Sequence, residues 1–354
     1  PGVTIVVTVA AFALLGNALR DVLGAQAVKQ SRATRRAAKA AAKVAAANRI
    51  AGTTIEVAHP GAQHTALDPE DLLEVENLRV AYPKVDGESV VVDGVSLTIR
   101  KGEVLGLVGE SGSGKTQTAF SILGLLPPEA KVSADTITFG GEELAGLSRT
   151  AMNVIRGRRI AYIPQEPMSN LDPSFKIGFQ LTEPIRQHLG LSKKQAKAKA
   201  IALLTRVGIN DPERTFNAYP HEISGGMAQR VLIAGAVSCD PELLIADEPT
   251  TALDVTVQAE VLDLMRSLQE ERQMGMILVT HNFGVVADIC DRVAVMQTGK
   301  IVETAPAREL FAHPQHPYTR MLLDSTLEDS VPRPQLAAAG STTSTAPTTG
   351  GEGA

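Results

Sequence analysis

Apolar positions follow three regimes along the chain. From Val3 to Leu15 they are continuous except for Thr4 and Thr8, and over Lys29–Arg49 they are mostly alanines interleaved with cations. From about Leu72 they fall into short β-rich runs alternating with helical spacing. Leu72–Tyr82 and Val90–Ile99 predict strands of a sheet. Glu103–Val108 predicts a buried strand, followed by a Gly-rich turn and a helix through Leu126. Ser192 is the expected cap of a helix running to Val207, and another helix follows Ser224. Glu242–Ala246 and Met276–Thr280 predict further buried strands, separated by a helix near Val255–Gln269. Strands alternating with helices predict an α/β fold on a parallel sheet. After Ser330 the chain turns to Ala, Ser, Thr, Gly and Pro, a composition that predicts disorder.

The apolar run at the start spans 13 residues. At about 1.5 Å per residue that is about 20 Å, short of a hydrocarbon core of about 30 Å. Its positive charges follow it, whereas a signal peptide carries them in front. With Pro1 as the opening residue, the reading adopted is the last part of a transmembrane helix that begins upstream; a buried amphipathic helix is the alternative. Lys29, Arg32, Arg35, Arg36, Lys39, Lys43 and Arg49 follow with no acid among them, as expected on the cytoplasmic side of a membrane helix. A solvated linker helix would look similar. Gly52, Pro60, Gly61 and Pro69 mark residues 50–70 as linker.

The 354 residues are 44% hydrophobic and 21% charged, values of a folded chain rather than a disordered one. Residues 1–67 hold eight basic and two acidic side chains, a charge of +6, while the rest hold 26 against 37, a charge of −11. The long acidic part, with aromatics at 3% and no Trp, argues against nucleic-acid binding. Cys239 and Cys290 are too few for a disulfide framework or a thiolate metal site, and read as small buried hydrophobes.

Chemistry concentrates in three motifs. Gly109-Glu110-Ser111-Gly112-Ser113-Gly114-Lys115-Thr116 fits G-x-x-x-x-G-K-[ST] between a predicted strand and a predicted helix. Backbone N–H groups of such a loop curl around phosphate oxygens, Lys115 would bridge the β- and γ-phosphates, and Thr116 would offer its hydroxyl to Mg²⁺. Leu243–Ala246 leads into Asp247 and Glu248. Asp247 would stand near Mg²⁺, and Glu248 would polarise an attacking water. Ser224-Gly225-Gly226-Met227-Ala228-Gln229 opens a helix and offers a second anion site, which one nucleotide cannot easily share with the first.

With this third element the sequence resembles the ATP-binding cassette (ABC) ATPases, in which the signature Ser-Gly-Gly of one subunit closes over the nucleotide held by another. The other motifs of that family follow in order. Gln165 matches the glutamine loop that touches Mg²⁺, Ala252-Leu253-Asp254 the D-loop at the dimer interface, and His281 the switch histidine at the γ-phosphate. Tyr82 falls where the family stacks an aromatic on adenine. Singly, Gln165 could be a turn residue, His281 a strand-end cap and Tyr82 a half-buried strand tyrosine. Together, the ordered matches from Tyr82 to His281 make coincidence negligible. The stretch Gly109–Phe120 including Gln117, then Gln165-Glu166-Pro167-Met168 and His313-Pro314-Gln315-His316-Pro317-Tyr318-Thr319, resembles the ATPase subunits of oligopeptide/dipeptide importers. His313 and His316 could suggest a metal pair, but two prolines and no nearby thiol speak against it. Residues 1–25 resemble the closing helix of a permease from such systems. The chain departs from the pattern in carrying Thr116 where Ser is commoner and Met227-Ala228-Gln229 after the glycines. It also lacks the cysteine cluster with which relatives hold an iron–sulfur centre, so no such cluster is expected.

The resemblance implies a P-loop NTPase core of RecA-like α/β type, with an antiparallel β subdomain and an α-helical signature subdomain. The implied organisation is a permease helix end over 1–25, a basic segment and linker over 26–70, and a nucleotide-binding domain over 71–310, its helical subdomain at about 167–238. An importer C-terminal element would occupy 311–330 and a disordered tail 331–354. Implied ligands are ATP and Mg²⁺. Implied partners are permease subunits, a second ABC ATPase subunit, identical or paralogous, and an extracytoplasmic substrate-binding protein. The expected place is the cell membrane, with the ATPase domain on its cytoplasmic face. ATP hydrolysis would drive uptake of di- and oligopeptides. An exporter half-transporter, an importer of another solute such as nickel, and a soluble regulatory or repair ABC ATPase are the rival readings.

Overall fold

The computed structural model describes residues 56–57, 71–251 and 253–330. The permease-like segment 1–25, the basic and linker residues of 26–70 other than 56–57, Ala252 of the D-loop and the tail 331–354 lie outside the described residues.

Twelve strands occur among the described residues: β1 (Glu56–Val57), β2 (Asp71–Lys84), β3 (Gly87–Arg100), β4 (Val104–Val108), β5 (Lys131–Ala134), β6 (Thr136–Phe139), β7 (Glu142–Glu143), β8 (Ile160–Ile163), β9 (Leu243–Asp247), β10 (Gly275–Thr280), β11 (Arg292–Gln297) and β12 (Lys300–Pro306). They form two sheets. One runs β12-β11-β4-β10-β9-β8, parallel throughout except for β12. The other runs β1-β5-β2-β6-β7, with β3 on the remaining edge of β2, and is antiparallel but for the β1–β5 pair.

The strands of the parallel sheet are apolar at almost every position because both of its faces are covered. Alternation sorts them between two cores. Val104, Val108, Leu244, Ala246, Met276 and Leu278 join the core beneath the helices. Leu105, Leu107, Leu243, Ile245, Ile277 and Val279 join the core beneath the antiparallel sheet. Helices fill the chain between β8 and β9: Pro167–Asn170, Ile177–Leu189, Lys193–Arg206, Pro212–Asn217 and Gly225–Ala236. Ser192 caps the third of these with a capping box, its hydroxyl accepting from Gln195 N while the Gln195 side chain accepts from Ser192 N.

Three local expectations need correction. The helix after the Gly-rich loop spans Lys115–Leu123 and stops short of Leu126, because Gly124 turns left-handed at φ 57° and its N–H closes onto Phe120 and Ser121 carbonyls. The chain then supplies β5–β7, short strands that local pattern did not announce: β5 and β6 pair with the long β2, and β7 with β6. The two β-rich runs at the start of the domain are each 14 residues long, pairing through bulges. Cys239 and Cys290 are free and buried, as read from the sequence; burial lifts the Cys290 thiol to about 12. Among the described residues no helix is long and apolar enough to cross a membrane.

Gly275 opens β10 where the two sheets approach. A methyl group there would stand 2.8 Å from Leu72 Cδ2 and 3.2 Å from both Ile99 Cγ2 and the Arg100 carbonyl oxygen. Gly275→Ala is therefore expected to cost about 1–3 kcal/mol through overpacking, read as a lowered denaturant midpoint. An unchanged midpoint would contradict this contact between the sheets.

Candidate active site

The register of the parallel sheet assembles the site. Val108 at the end of β4 pairs with Thr280, Val279 pairs with Asp247, and Ile163 pairs with Ala246. Four strand ends are thereby level, and the residues that follow them share one edge: the Gly109–Gly114 loop, Gln165, Glu248 and His281. Carboxyl ends of parallel strands are where an open α/β sheet binds its ligand.

The loop after β4 needs its glycines. Gly109, Gly112 and Gly114 have φ of 152°, 84° and 104°, and a Cβ on Gly114 would stand 2.7 Å from the Val91 carbonyl oxygen. The loop closes on itself through Lys115, whose Nζ donates to the Gly109 and Glu110 carbonyls at 2.7 and 2.8 Å. Burial pushes the Lys115 ammonium down from its usual value, and the carboxylates of Glu248, Asp247 and Glu110 oppose that shift. Ser113 Oγ, buried in the same loop, has no hydrogen-bond partner among the described residues. An orphaned donor inside a ring of backbone N–H groups suits a ligand rich in acceptors.

Two acids stand opposite. Asp247 is buried, with Thr116 Oγ1 donating to Oδ1 at 3.3 Å and the Tyr162 hydroxyl to Oδ2 at 3.5 Å. Burial pushes its carboxyl up, against the Thr116 bond that lowers it. Glu248 has a left-handed backbone at φ 46°, a conformation that costs a side-chain-bearing residue about 1–3 kcal/mol. Its N–H donates to the Val279 carbonyl at 2.8 Å, tying that turn to β10. The carboxylate is held by three side chains: Gln165 Nε2 and Thr251 Oγ1, each donating at 2.8 Å, and His281 Nδ1 at 2.9 Å. Burial would raise the Glu248 carboxyl, but the His281 and Thr251 hydrogen bonds outweigh it and hold the group below its usual range.

Two adjoining cavities open along this edge. One, about 330 Å³, is lined by Tyr82, Val91, Ser111, Gly112, Gly114, Lys115, Thr116, Gln117, Gln165 and Glu248. The other, about 480 Å³, shares Ser111, Gln165 and Glu248 and adds Gly109, Glu110, Thr251, His281 and Phe283, with Leu322 and Ser325 from the C-terminal helix Pro317–Ser330. At the mouth of the first the Tyr82 hydroxyl donates to Gln117 Oε1 at 2.6 Å, which seats the ring beside the loop.

The structure brings together Tyr82, the loop from Gly109 to Gln117, Gln165, Asp247, Glu248 and His281. It does not bring Ser224, Gly225, Gly226, Met227, Gln229 or Asp254 to them, since none lines either cavity. Ser224 caps the Gly225–Ala236 helix, accepting from Met227 N at 3.3 Å. Asp254 caps the Val255–Arg272 helix, accepting from Val257 N at 3.0 Å. Gly226 lies against that second helix, where an added Cβ would meet Val257 Cγ1 at 3.2 Å. A Cβ on Gly225 would meet nothing within 4 Å, so the chain's own packing does not call for glycine there. Gln229 is buried with its Nε2 unpartnered among the described residues.

Sequence reasoning missed Thr251 and Tyr162. Thr251 stands three residues after Glu248, and a hydroxyl so close behind a strand-end acid is a signal that could have found it. Tyr162 sits in β8 like any strand tyrosine, and only the sheet register aims it at Asp247.

Comparison with known proteins gives two matches to family models. That for ABC transporters covers residues 92–251, and that for the C-terminal region of oligopeptide/dipeptide transporters covers residues 302–351. The chain is 49% identical over 262 residues to the oligopeptide transport ATP-binding protein of Bacillus subtilis, spanning 73% of either chain. It is 48% identical over 257 residues to the dipeptide transport ATP-binding protein of the same organism, spanning 72% of this chain and 77% of the relative. Among solved structures, a dimeric bacterial ABC transporter cassette matches with a TM-score of 0.60 at 25% identity, over 67% of this chain and 99% of the other. A component of an ABC transporter complex from Clostridium perfringens matches with a TM-score of 0.57 at 27% identity, over 69% and 92%.

The setting of Glu248 gives a pH signature. A carboxylate held below its unfolded-state pKa contributes stability that is complete above that value and is lost as pH falls through the folded-state pKa. Thr251→Val is expected to lower Tm at neutral pH and to converge with the parent in acid, once the carboxylate is protonated. A Tm difference that stays constant from neutral to acid pH would contradict a charge-assisted bond.

Proposed function

The chain belongs to the ATP-binding proteins of ABC transporters, and from that membership we propose that it powers the import of di- and oligopeptides, using the residues gathered at the strand ends. Membership brings the α/β ABC ATPase architecture, ATP binding and hydrolysis, and a place at the membrane with permease subunits. Peptide as cargo rests on the C-terminal region, which matches that of oligopeptide/dipeptide transporters, and on the printed roles of the two Bacillus subtilis relatives. Neither an exporter nor a soluble repair ATPase has a specific observation in its favour.

The reading of the site is as follows. The loop Gly109–Thr116 holds the ATP phosphates, Tyr82 stacks on adenine, and Gln117 keeps the Tyr82 ring in place. Lys115 leaves its two carbonyls for the β- and γ-phosphates, regaining in charge-assisted bonds what burial costs it. Glu248 accepts a proton from the water that attacks the γ-phosphorus, as the bond to the oxygen bridging the β- and γ-phosphates breaks and ADP leaves. For that role Glu248 must be ionised, which its hydrogen bonds secure, and it must give up at least one of three partners. His281 then turns to the γ-phosphate.

The donors around Asp247 fit Mg²⁺. Thr116 Oγ1, the Asp247 carboxylate and the Gln165 amide are hard ligands of the kind this ion selects. The desolvated Asp247, pushed toward its neutral form, would recover its charge beside a cation. Bound with ATP, the ion supplies neutralisation of phosphate charge.

The observation that carries the functional reading is the division of the chain into two half-sites. One is the cavity of Lys115 and Glu248. The other is the Ser224–Gly226 helix start, where Gly225 faces open space. A second cassette, identical or paralogous, presents its own Ser224-type signature to the first cavity, with Asp254 at the contact. Closure on ATP moves permease subunits, a substrate-binding protein delivers cargo from outside, and the ATPase domain faces the cytoplasm.

Glu248→Gln is expected to lower ATP turnover about 10²–10⁴-fold while ATP still binds; retained turnover would remove Glu248 as the base. Lys115→Ala is expected to weaken ATP binding about tenfold or more; unchanged affinity would sink the phosphate assignment. The cargo is tested by uptake of labelled di- and oligopeptides in cells carrying the full gene, the Glu248→Gln allele or a deletion. Uptake lost in both altered strains supports peptide import. Uptake unchanged in both, in cells with no redundant peptide system, would contradict it.

A further inference from the structure

The His313–Thr319 element lies within the stretch that matches the C-terminal region of oligopeptide/dipeptide transporters, and the proposed function leaves it without a task. Its geometry supplies one. The element is gathered by a single carboxylate, that of Glu303 on β12. Gln315 N donates to Oε1 at 2.8 Å, and His316 N and Thr319 Oγ1 donate to Oε2 at 3.0 and 2.5 Å. Burial would raise the Glu303 carboxyl, but these three donors hold it below its usual range, so it stays an acceptor. Arg320 closes the turn from the other side, donating to the Pro314 and Gln315 carbonyls at 3.0 and 2.7 Å. His316 Nδ1 accepts from Tyr318 N at 3.2 Å and so is committed to the turn rather than offered to a metal.

The outcome of this stapling is the seat of Tyr318. Its ring is buried in the helical core, 6% exposed, and its hydroxyl accepts the backbone N–H of Glu110 at 3.2 Å, across 208 residues of sequence. That N–H belongs to the same peptide unit as the Gly109 carbonyl, which accepts Lys115 Nζ at 2.7 Å. One peptide plane is thus held at both ends, by the C-terminal element on its N–H side and by the loop lysine on its carbonyl side. Gly109, at φ 152°, has little steric preference of its own to keep that plane from turning over. The chain therefore fixes with a side chain what its glycine leaves loose.

We propose that Tyr318, stapled by Glu303, is a positioning residue of the nucleotide loop: it fixes the Gly109–Glu110 peptide, and with it the loop N–H groups, for ATP phosphates, and is the hold that remains when Lys115 leaves the Gly109 carbonyl. This rests on the assignment of Gly109–Thr116 to those phosphates. The residue lines neither cavity, and it acts through the peptide it holds. The C-terminal region of this importer branch thereby sets the ATP affinity of the chain that carries it, and Leu322 and Ser325 continue the same helix along the wall of the second cavity.

The test compares the full chain with Tyr318→Phe, Glu303→Gln and Lys115→Ala. The readouts are equilibrium binding of ATP, the KM and kcat of ATP hydrolysis, and Tm. Tyr318→Phe keeps the buried ring and removes only the acceptor. One hydrogen bond lost from preorganisation predicts Kd and KM for ATP raised about three- to tenfold with kcat held, beside only the small fall in Tm that loss of one hydrogen bond brings. Glu303→Gln leaves one carbonyl oxygen for three donors, and is expected to shift Kd in the same direction. A merely structural tyrosine would instead lower Tm and the active fraction, hence apparent kcat, with KM unchanged, and that result would overturn the proposal. So would parental ATP affinity in both Tyr318→Phe and Glu303→Gln when Lys115→Ala has lost binding. If Lys115→Ala also binds ATP like the parent, it is the assignment of the loop to phosphate that fails.

Discussion

The constraint on which the rest depends is the register of the parallel sheet. Backbone ladders between β4, β10, β9 and β8 set four strand ends level, and the Gly109–Thr116 loop, Gln165, Glu248 and His281 follow those ends within a few residues. A slip of one residue in any of these strands would carry its apolar side chains to the opposite face. Leu244, Met276 and Val104 would leave one core as Ile245, Ile277 and Leu105 left the other. The two cores, one under helices and one under the antiparallel sheet, make such slips costly. The bond from Glu248 N to the Val279 carbonyl is a local expression of the same order, since it sets a catalytic-type acid in a strained backbone beside a strand that is locked in place.

Within this frame the site is a set of polar groups that satisfy one another. Lys115 is turned onto loop carbonyls, Gln165 and His281 onto Glu248, and Thr116 onto Asp247. On the reading proposed for the site, each of these bonds joins groups that a bound nucleotide would separate and reuse. Buried polar groups carry a large penalty when left unpaired, and the mutual pairing spares the chain that penalty. Three side-chain atoms are buried without a partner among the described residues: Ser113 Oγ in the loop, Gln229 Nε2 in the helix that Ser224 caps, and Arg272 Nε away from both.

The sequence made the candidate site legible because its motifs are local. The Gly109–Thr116 loop needs glycines at fixed offsets, and the acids need only an apolar run before them. The signature needs a helix start, and Ser224 supplies the cap. What escaped was set by distant partners. Strands β5–β7 are two to four residues long; β5 and β6 exist because β2 is long enough to pair with both, and β7 adds to β6. The apolar Leu125 and Leu126 invite a longer helix, but the left-handed Gly124 ends it before them. Tyr318 is the extreme case, since its bond to Glu110 spans almost the whole domain and no spacing rule reaches that far. The cap made by Asp254 shows the converse, a residue read for a dimer contact that also has ordinary work within its own helix.

The central claim is that each nucleotide is enclosed by two chains, the Lys115 cavity of one and the Gly225 surface of the other. Its most direct test is the molecular mass in solution of the Glu248→Gln protein, measured by light scattering with and without MgATP, alone and mixed with the paired cassette of its transport system. The account predicts that ATP doubles the mass in at least one of these mixtures, and that a bulky side chain introduced by Gly225→Arg prevents the doubling while ATP still binds. A mass that stays that of single cassettes in every mixture, with ATP demonstrably bound, would contradict it.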